Sequence, residues 1–167
     1  MDDALLAYFI TFTTHGTWLH GDERSSIIRK DGITTLLPPQ ERLVRYETQK
    51  LKSPAVLLNA AHRKIVLIAI MKHSEIRQWK LFAVHVRSNH VHVVVRSNKS
   101  ADQTASELKT WPTRMLKKAG LTRENMWTSG GSKKHIYTEE KLREKIHYVA
   151  YEQGEMMEYY IDKAYAK

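Results

Sequence analysis

The sequence predicts an α+β fold: an antiparallel sheet with packed helices, of the ferredoxin-like split βαβ type. Three observations carry that expectation. An aromatic and β-branched run opens the chain at Ala7–Thr14. Two alternating runs, Lys80–Arg87 and His90–Arg96, are joined only by Ser88-Asn89. Helical stretches separate these strands and follow them, which suits a sheet layer covered by helices.

Length and composition agree. At 167 residues, with 42% apolar and 27% charged residues, the chain reads as one globular domain over 1–167. Lysine plus arginine number 27 against 18 acidic residues, a net charge of +9 that favours polyanionic partners. No cysteine is present, which excludes disulfide scaffolds and cysteine-ligated zinc and fits a reducing cytoplasm. The longest apolar stretch, Ile65–Met71, is too short to span a bilayer. Asp2 and Asp3 stand where an export signal would carry lysines, so no such signal is read and a cytoplasmic location is expected.

Taken in order, Ala7–Thr14 suits a half-buried strand. Gly16 to Asp22 is turn-rich, and Arg24–Pro39 reads as a polar loop ended by Pro38-Pro39. A helical excursion covers about 40–78, interrupted at Ser53-Pro54. Its second helix, from about Asn59 to Met71 or Ser74, has apolar residues at 65, 66, 68, 69 and 70, so much of it should be buried. The Ser-Asn link makes the next two strands a tight hairpin. Ser100 caps a helix that Pro112 should kink or restart, and Gly120 ends it. Trp127–Ser132 is a loop and Lys133–Tyr137 a short strand. Thr138 caps a terminal helix, about 138–154, whose Glu139 and Glu140 favour the helix dipole.

Three features carry chemistry. In His90-Val91-His92, residues two apart on a strand share a face, roughly 6.5–7 Å apart at the backbone. Two imidazoles so placed can converge on one metal ion, or simply occupy a solvated face, while Val91, Val93 and Val95 fill the core behind them. Arg87 and Arg96 flank the pair and suit phosphate. On the terminal helix, Leu142, Ile146 and Val149 form one stripe. Tyr148 and Glu152, four apart, share the polar face with Lys141 and Lys145, and Gln153 falls at the edge of the apolar stripe. A phenol beside cations can be a nucleophile toward phosphorus, with Tyr151 as its rival, or an ordinary surface aromatic. Finally Lys109, Arg114, Lys117, Lys118, Lys133, Lys134 and Lys145, interleaved with Trp111 and Trp127, suit a groove for unpaired nucleic acid. The same residues also suit a solvated basic surface with core tryptophans.

Three segments together resemble the HUH-superfamily single-tyrosine transposases, nearer the REP-associated branch than the insertion-sequence one. They are Phe9–Thr14 with Trp18-Leu19-His20-Gly21-Asp22, then Phe82–Val95, then Tyr148–Gly154. The resemblance implies cutting and rejoining of single-stranded DNA at hairpin-bearing sites. It assigns Tyr148 as the nucleophile forming a 5′-phosphotyrosine, and His90 and His92 as ligands of Mg²⁺ or Mn²⁺. The family's third ligand is usually an amide four residues after the tyrosine; here that position is Glu152, a carboxylate that can also bind such ions. Arg87, Arg96, Lys109, Arg114, Lys117, Lys118, Trp127, Lys133, Lys134 and Lys145 are the candidate DNA contacts. A non-cutting nucleic-acid-binding regulator and a histidine-pair phosphoesterase are the competing readings. The sequence leaves open whether the chain acts as a monomer or a homodimer.

Overall fold

The computed structural model describes residues 4–19, 26–30 and 33–167; His20, Gly21 and Asp22 of the first motif segment lie outside them. Its centre is a five-stranded antiparallel sheet. In chain order the strands are β1 (Ala7–Thr13), β4 (Lys80–Val86), β5 (His90–Arg96), β6 (Ser132–Ile136) and β7 (Glu158–Ile161). Their spatial order is β6-β1-β5-β4-β7. The antiparallel β5 lies between β1 and β4, which are joined through helix α2 (Ala60–Ile76). That is the split βαβ unit the sequence predicts.

Side-chain alternation gives the sheet two different faces. Tyr8, Ile10 and Phe12 of β1, with Val91, Val93 and Val95 of β5, pack beneath α2 and α3 (Ala101–Lys118). Ala7 and Phe9 of β1, with Val94 of β5, point the other way. There they meet Leu142, Ile146 and Val149 of α4 (Glu139–Tyr151). The apolar stripe read from the sequence is therefore the face α4 buries, at roughly 25 cal/mol per Å² of apolar surface covered.

Local signals explain most element ends. The Asn59 side chain accepts from His62 N–H at the start of α2, and Thr138 accepts from Lys141 N–H at the start of α4. Ser100 and Gln103 form a reciprocal capping box on α3.

The structure departs from the sequence reading in four places. The stretch read as a loop contains strands β2 (Ser26–Lys30) and β3 (Ile33–Leu37), paired as a separate two-stranded sheet. Helix α3 runs unbroken through Pro112. Pro112 leaves Leu108 O without its helix donor, and the Thr113 hydroxyl and the Trp127 indole both donate to the neighbouring carbonyl, Lys109 O. Helix α2 is buried on one side only: Val66, Ala69 and Ile70 face the core, whereas Ile68, Met71 and Ile76 are exposed. Strand β7 lies in a stretch where the sequence predicts no element. Between β3 and α2, α1 (Glu41–Lys50) buries none of its residues. No helix among the described residues is long and apolar enough to cross a membrane.

Candidate metal and tyrosine site

Helix α4 ends before the sheet beneath it does, and the polar residues gather at that end. Strand register aligns Ser132, Thr11, His92, His85 and Tyr159 in one row across all five strands. Directly paired residues share a face, so this row lies on the α4 side. His90, two residues before His92, stands beside Thr13.

The two imidazoles converge. Their ring centroids are 4.7 Å apart and their planes nearly perpendicular. His90 Nδ1 lies 2.7 Å from Asn89 Oδ1, an oxygen that only accepts. That contact fixes the proton on Nδ1, so the lone pair of the ring lies on Nε2. His92 Nδ1 lies 2.7 Å from the Thr11 hydroxyl, which can donate or accept. His92 is buried, with 7% of its surface exposed, so it does not sit on a solvated face. Burial, and secondarily the neighbouring His90, push its pKa down to about 3, which keeps the ring neutral and available to a cation.

Tyr148 faces this pair from α4. Its ring centroid lies 5.8 Å from that of His92 and 5.9 Å from that of Phe9, edge-on to both. Phe9 in turn stacks on His92 at 5.7 Å. The Lys145 ammonium lies 5.7 Å from the centre of the Tyr148 ring and 5.8 Å from that of Phe9. It also contacts Glu144 at 2.8 Å. Tyr151 turns away: its ring packs 5.2 Å from His147, and its hydroxyl accepts from Lys167 N–H.

The chain after Tyr148 separates the two candidate third ligands. Glu152 is the C-cap of α4, with φ −111° and ψ 22°, so Gln153 no longer follows the helical wheel. The Glu152 carboxylate lies 2.8 Å from His147 Nδ1, on the outer side with Tyr151. No three His, Cys, Asp or Glu side chains among the described residues gather closely enough to hold a metal, so Glu152 does not complete a set with His90 and His92. Gln153 bends back instead. Its Nε2 donates to Tyr148 O at 3.0 Å, and its side chain lies near enough to His92 to act on that ring, opposing the fall in its pKa. An amide whose nitrogen is committed to Tyr148 O presents its oxygen to that ring. Two imidazoles and one amide oxygen form a donor set suited to a hard or borderline divalent ion.

His85, one strand from His92, is 1% exposed. Its Nδ1 donates to Val149 O at 3.0 Å, and its Nε2 accepts from Met157 N–H at 3.1 Å. Burial lowers its pKa, in keeping with a neutral ring.

The remaining cations spread widely. Arg87 Nη1 donates to Glu155 O at 2.7 Å, beside the loop that carries Gln153. Lys134 pairs with Phe9 across β6 and β1, on the face of the site. Arg96 lies at the far end of β5, six residues or roughly 20 Å from His90. There it donates to Leu6 O and covers Phe82. Lys109 is half-buried and binds the carbonyls of Thr128 and Gly130; burial and Lys133 lower its pKa. Trp127 packs edge-on to Phe12 and donates to Thr113 Oγ1, so its ring closes the α3 side of the core. Arg114 covers Trp111, Lys133 pairs with Asp102, and Lys117 and Lys118 are exposed in the last turn of α3. Of the basic candidates, Arg87, Lys134 and Lys145 border the site.

Sequence reasoning does not single out Thr11, Asn89 or His85. Asn89 is legible as the residue next to the histidine pair. The other two are brought in by strand register alone.

No family model and no curated protein matches the sequence. Among solved structures, the chain is similar to a REP-associated tyrosine transposase bound to a REP hairpin. The TM-score is 0.51 at 14% identity, over 86% of this chain and 64% of that one. This chain therefore spans less than two thirds of that relative. The likeness is one of fold: the antiparallel sheet and its packed helices.

Proposed function

We propose that this chain is a divalent-metal-dependent enzyme that cuts and rejoins single-stranded DNA, with Tyr148 as nucleophile and His90, His92 and Gln153 as metal ligands. One observation carries the reading: the Tyr148 ring stands against the histidine pair within a single chain. The solved relative holds a REP hairpin, and a hairpin-bearing strand is the substrate proposed here.

The phenol oxygen forms a bond to phosphorus as the bond to the 3′ oxygen breaks. The phenol gives up a proton and the departing 3′ oxygen takes one up. The products are a 5′-phosphotyrosine and a free 3′-hydroxyl, and the reverse reaction rejoins the strand. Lys145, 5.7 Å from the centre of the Tyr148 ring, places a positive charge beside the phosphate that the phenol would attack. Phe9 holds the ring edge-on and limits its rotation. Asn89 and Thr11 orient the two imidazoles through their Nδ1 atoms, the usual task of partners behind a metal ligand. A bound Mg²⁺ or Mn²⁺ would polarise the scissile phosphate and offset charge on the leaving oxygen. Arg87 and Lys134 lie where neighbouring phosphates would be neutralised.

Covalent trapping tests this. Labelled hairpin-bearing single-stranded DNA is incubated with the protein and Mn²⁺, then denatured. The expected product is a protein–DNA adduct that maps to Tyr148. Binding without an adduct would favour a non-cutting regulator. Cleavage that leaves a free 5′-phosphate and no adduct would favour a phosphoesterase.

A further inference from the structure

We propose that His85 is a positioning residue for this site: its buried ring pins both ends of the segment 149–157 and so holds Tyr148 and Gln153 against His92. The proposal rests on the reading of the site given above and adds a residue that touches neither metal nor DNA.

The last carbonyls of a helix have no partner within it, and α4 is no exception. Tyr148 O is satisfied by Glu152 N–H and by Gln153 Nε2. Val149 O accepts from His85 Nδ1. On its other edge the same ring accepts from Met157 N–H, just before β7 begins. A carbonyl only accepts and an amide N–H only donates. The ring must therefore be neutral, with its proton on Nδ1. An imidazole supplies a donor and an acceptor on opposite edges of one rigid plate, which is what a clamp between these two backbone points requires.

The apolar stripe of Leu142, Ile146 and Val149 sets which side of α4 faces the sheet. Such contacts tolerate small rotations and slides. A directional bond to Val149 O does not. Turning α4 so that Tyr148 leaves His92 breaks that bond, because Val149 is the next residue. Releasing Met157 frees the other end of the loop that carries Gln153. His85 is paired in register with His92, so the clamp and the ligand move as one piece of sheet.

Two substitutions test the clamp. His85→Leu fills the space but can neither donate nor accept; His85→Gln retains one donor and one acceptor. Mn²⁺ affinity is read by electron paramagnetic resonance, and protection of the Met157 amide by hydrogen exchange. In His85→Leu, Mn²⁺ should bind at least ~10-fold more weakly, the scale on which partners behind metal ligands act. The Met157 amide should exchange faster, and His85→Gln should recover both properties in large part. Should His85→Leu fail to fold, the glutamine variant decides: affinity near that of the native chain supports the clamp. A leucine variant that folds, binds Mn²⁺ like the native chain and keeps Met157 protected overturns it. If the native chain itself binds no Mn²⁺, the metal reading fails. Hydrogen exchange at Met157 and at the Gln153 backbone amide then judges His85 independently, and unchanged protection in His85→Leu overturns the clamp.

Discussion

The two faces of the central sheet are made by the same strands but finished differently. On one face, α2 and α3 cover Val91, Val93 and Val95 completely. On the other, the thirteen-residue α4 covers Val94 and Phe9 and ends beside the buried His92, leaving Thr11 and His90 half-buried. Each position on β5 is thus read twice: odd numbers build a dry core, and even numbers run from core at Val94 to the proposed metal ligand His90. The comparison teaches that the site is placed where helix cover runs out. A terminating helix also leaves carbonyls to be satisfied, which brings Gln153 and His85 to that spot.

The sharpest way to break the contrast is Tyr148→Phe. Loss of a nucleophile should lower adduct formation by on the order of 10³ or more, whereas Tyr151→Phe should leave it nearly unchanged. The opposite result would place the chemistry on the outer side of α4. Next, Gln153→Ala should weaken Mn²⁺ binding in a spectroscopic titration, by ~10–100-fold or more, while Glu152→Ala leaves it as it was. Urea unfolding at pH 7 then compares the faces directly. Val93→Ala should cost about 2 kcal/mol of stability, from lost burial plus a cavity. His92→Val should cost less than that and still remove Mn²⁺ binding.

Acid sharpens the comparison further. His92 is buried neutral, with its folded pKa near 3, below the unfolded value of 6.5. Its contribution is complete above pH 6.5 and is lost as pH falls from there toward 3. At pH 5.5 the loss attributable to this ring should be about 1 kcal/mol, and His92→Val should remove it. The smallest effect expected is from Lys133→Ala, whose partner Asp102 is exposed; no change in Tm should be resolved.

Much of this is legible in the residues. Period-two alternation places β1, β4 and β5, and shows which valines turn inward. Spacing puts His90 and His92 on one face. The Ile27-Ile28 and Ile33–Leu37 strands flank Asp31-Gly32, a strong hairpin signal, but the polar average of the segment hides it. Strand β7 has four residues and takes its identity from pairing with β4, which no local pattern reveals. The third ligand proposed above, Gln153, is hidden by extending a helical wheel past Tyr151. Glu152 departs from helical angles, so the wheel does not describe where Gln153 points. The basic residues are legible as charge but not as place. Arg96 lies at the wrong end of β5, and Lys109 is spent on loop carbonyls. Thr11 and His85 join the site only through strand register.

Crystals grown with Mn²⁺ and measured at its absorption edge would test the central claim most directly. The account predicts one anomalous peak bounded by His90 Nε2, His92 Nε2 and Gln153 Oε1, on the side facing Tyr148. A peak held by His147 and Glu152, or an ordered histidine pair that takes up no ion at saturating Mn²⁺, would contradict it.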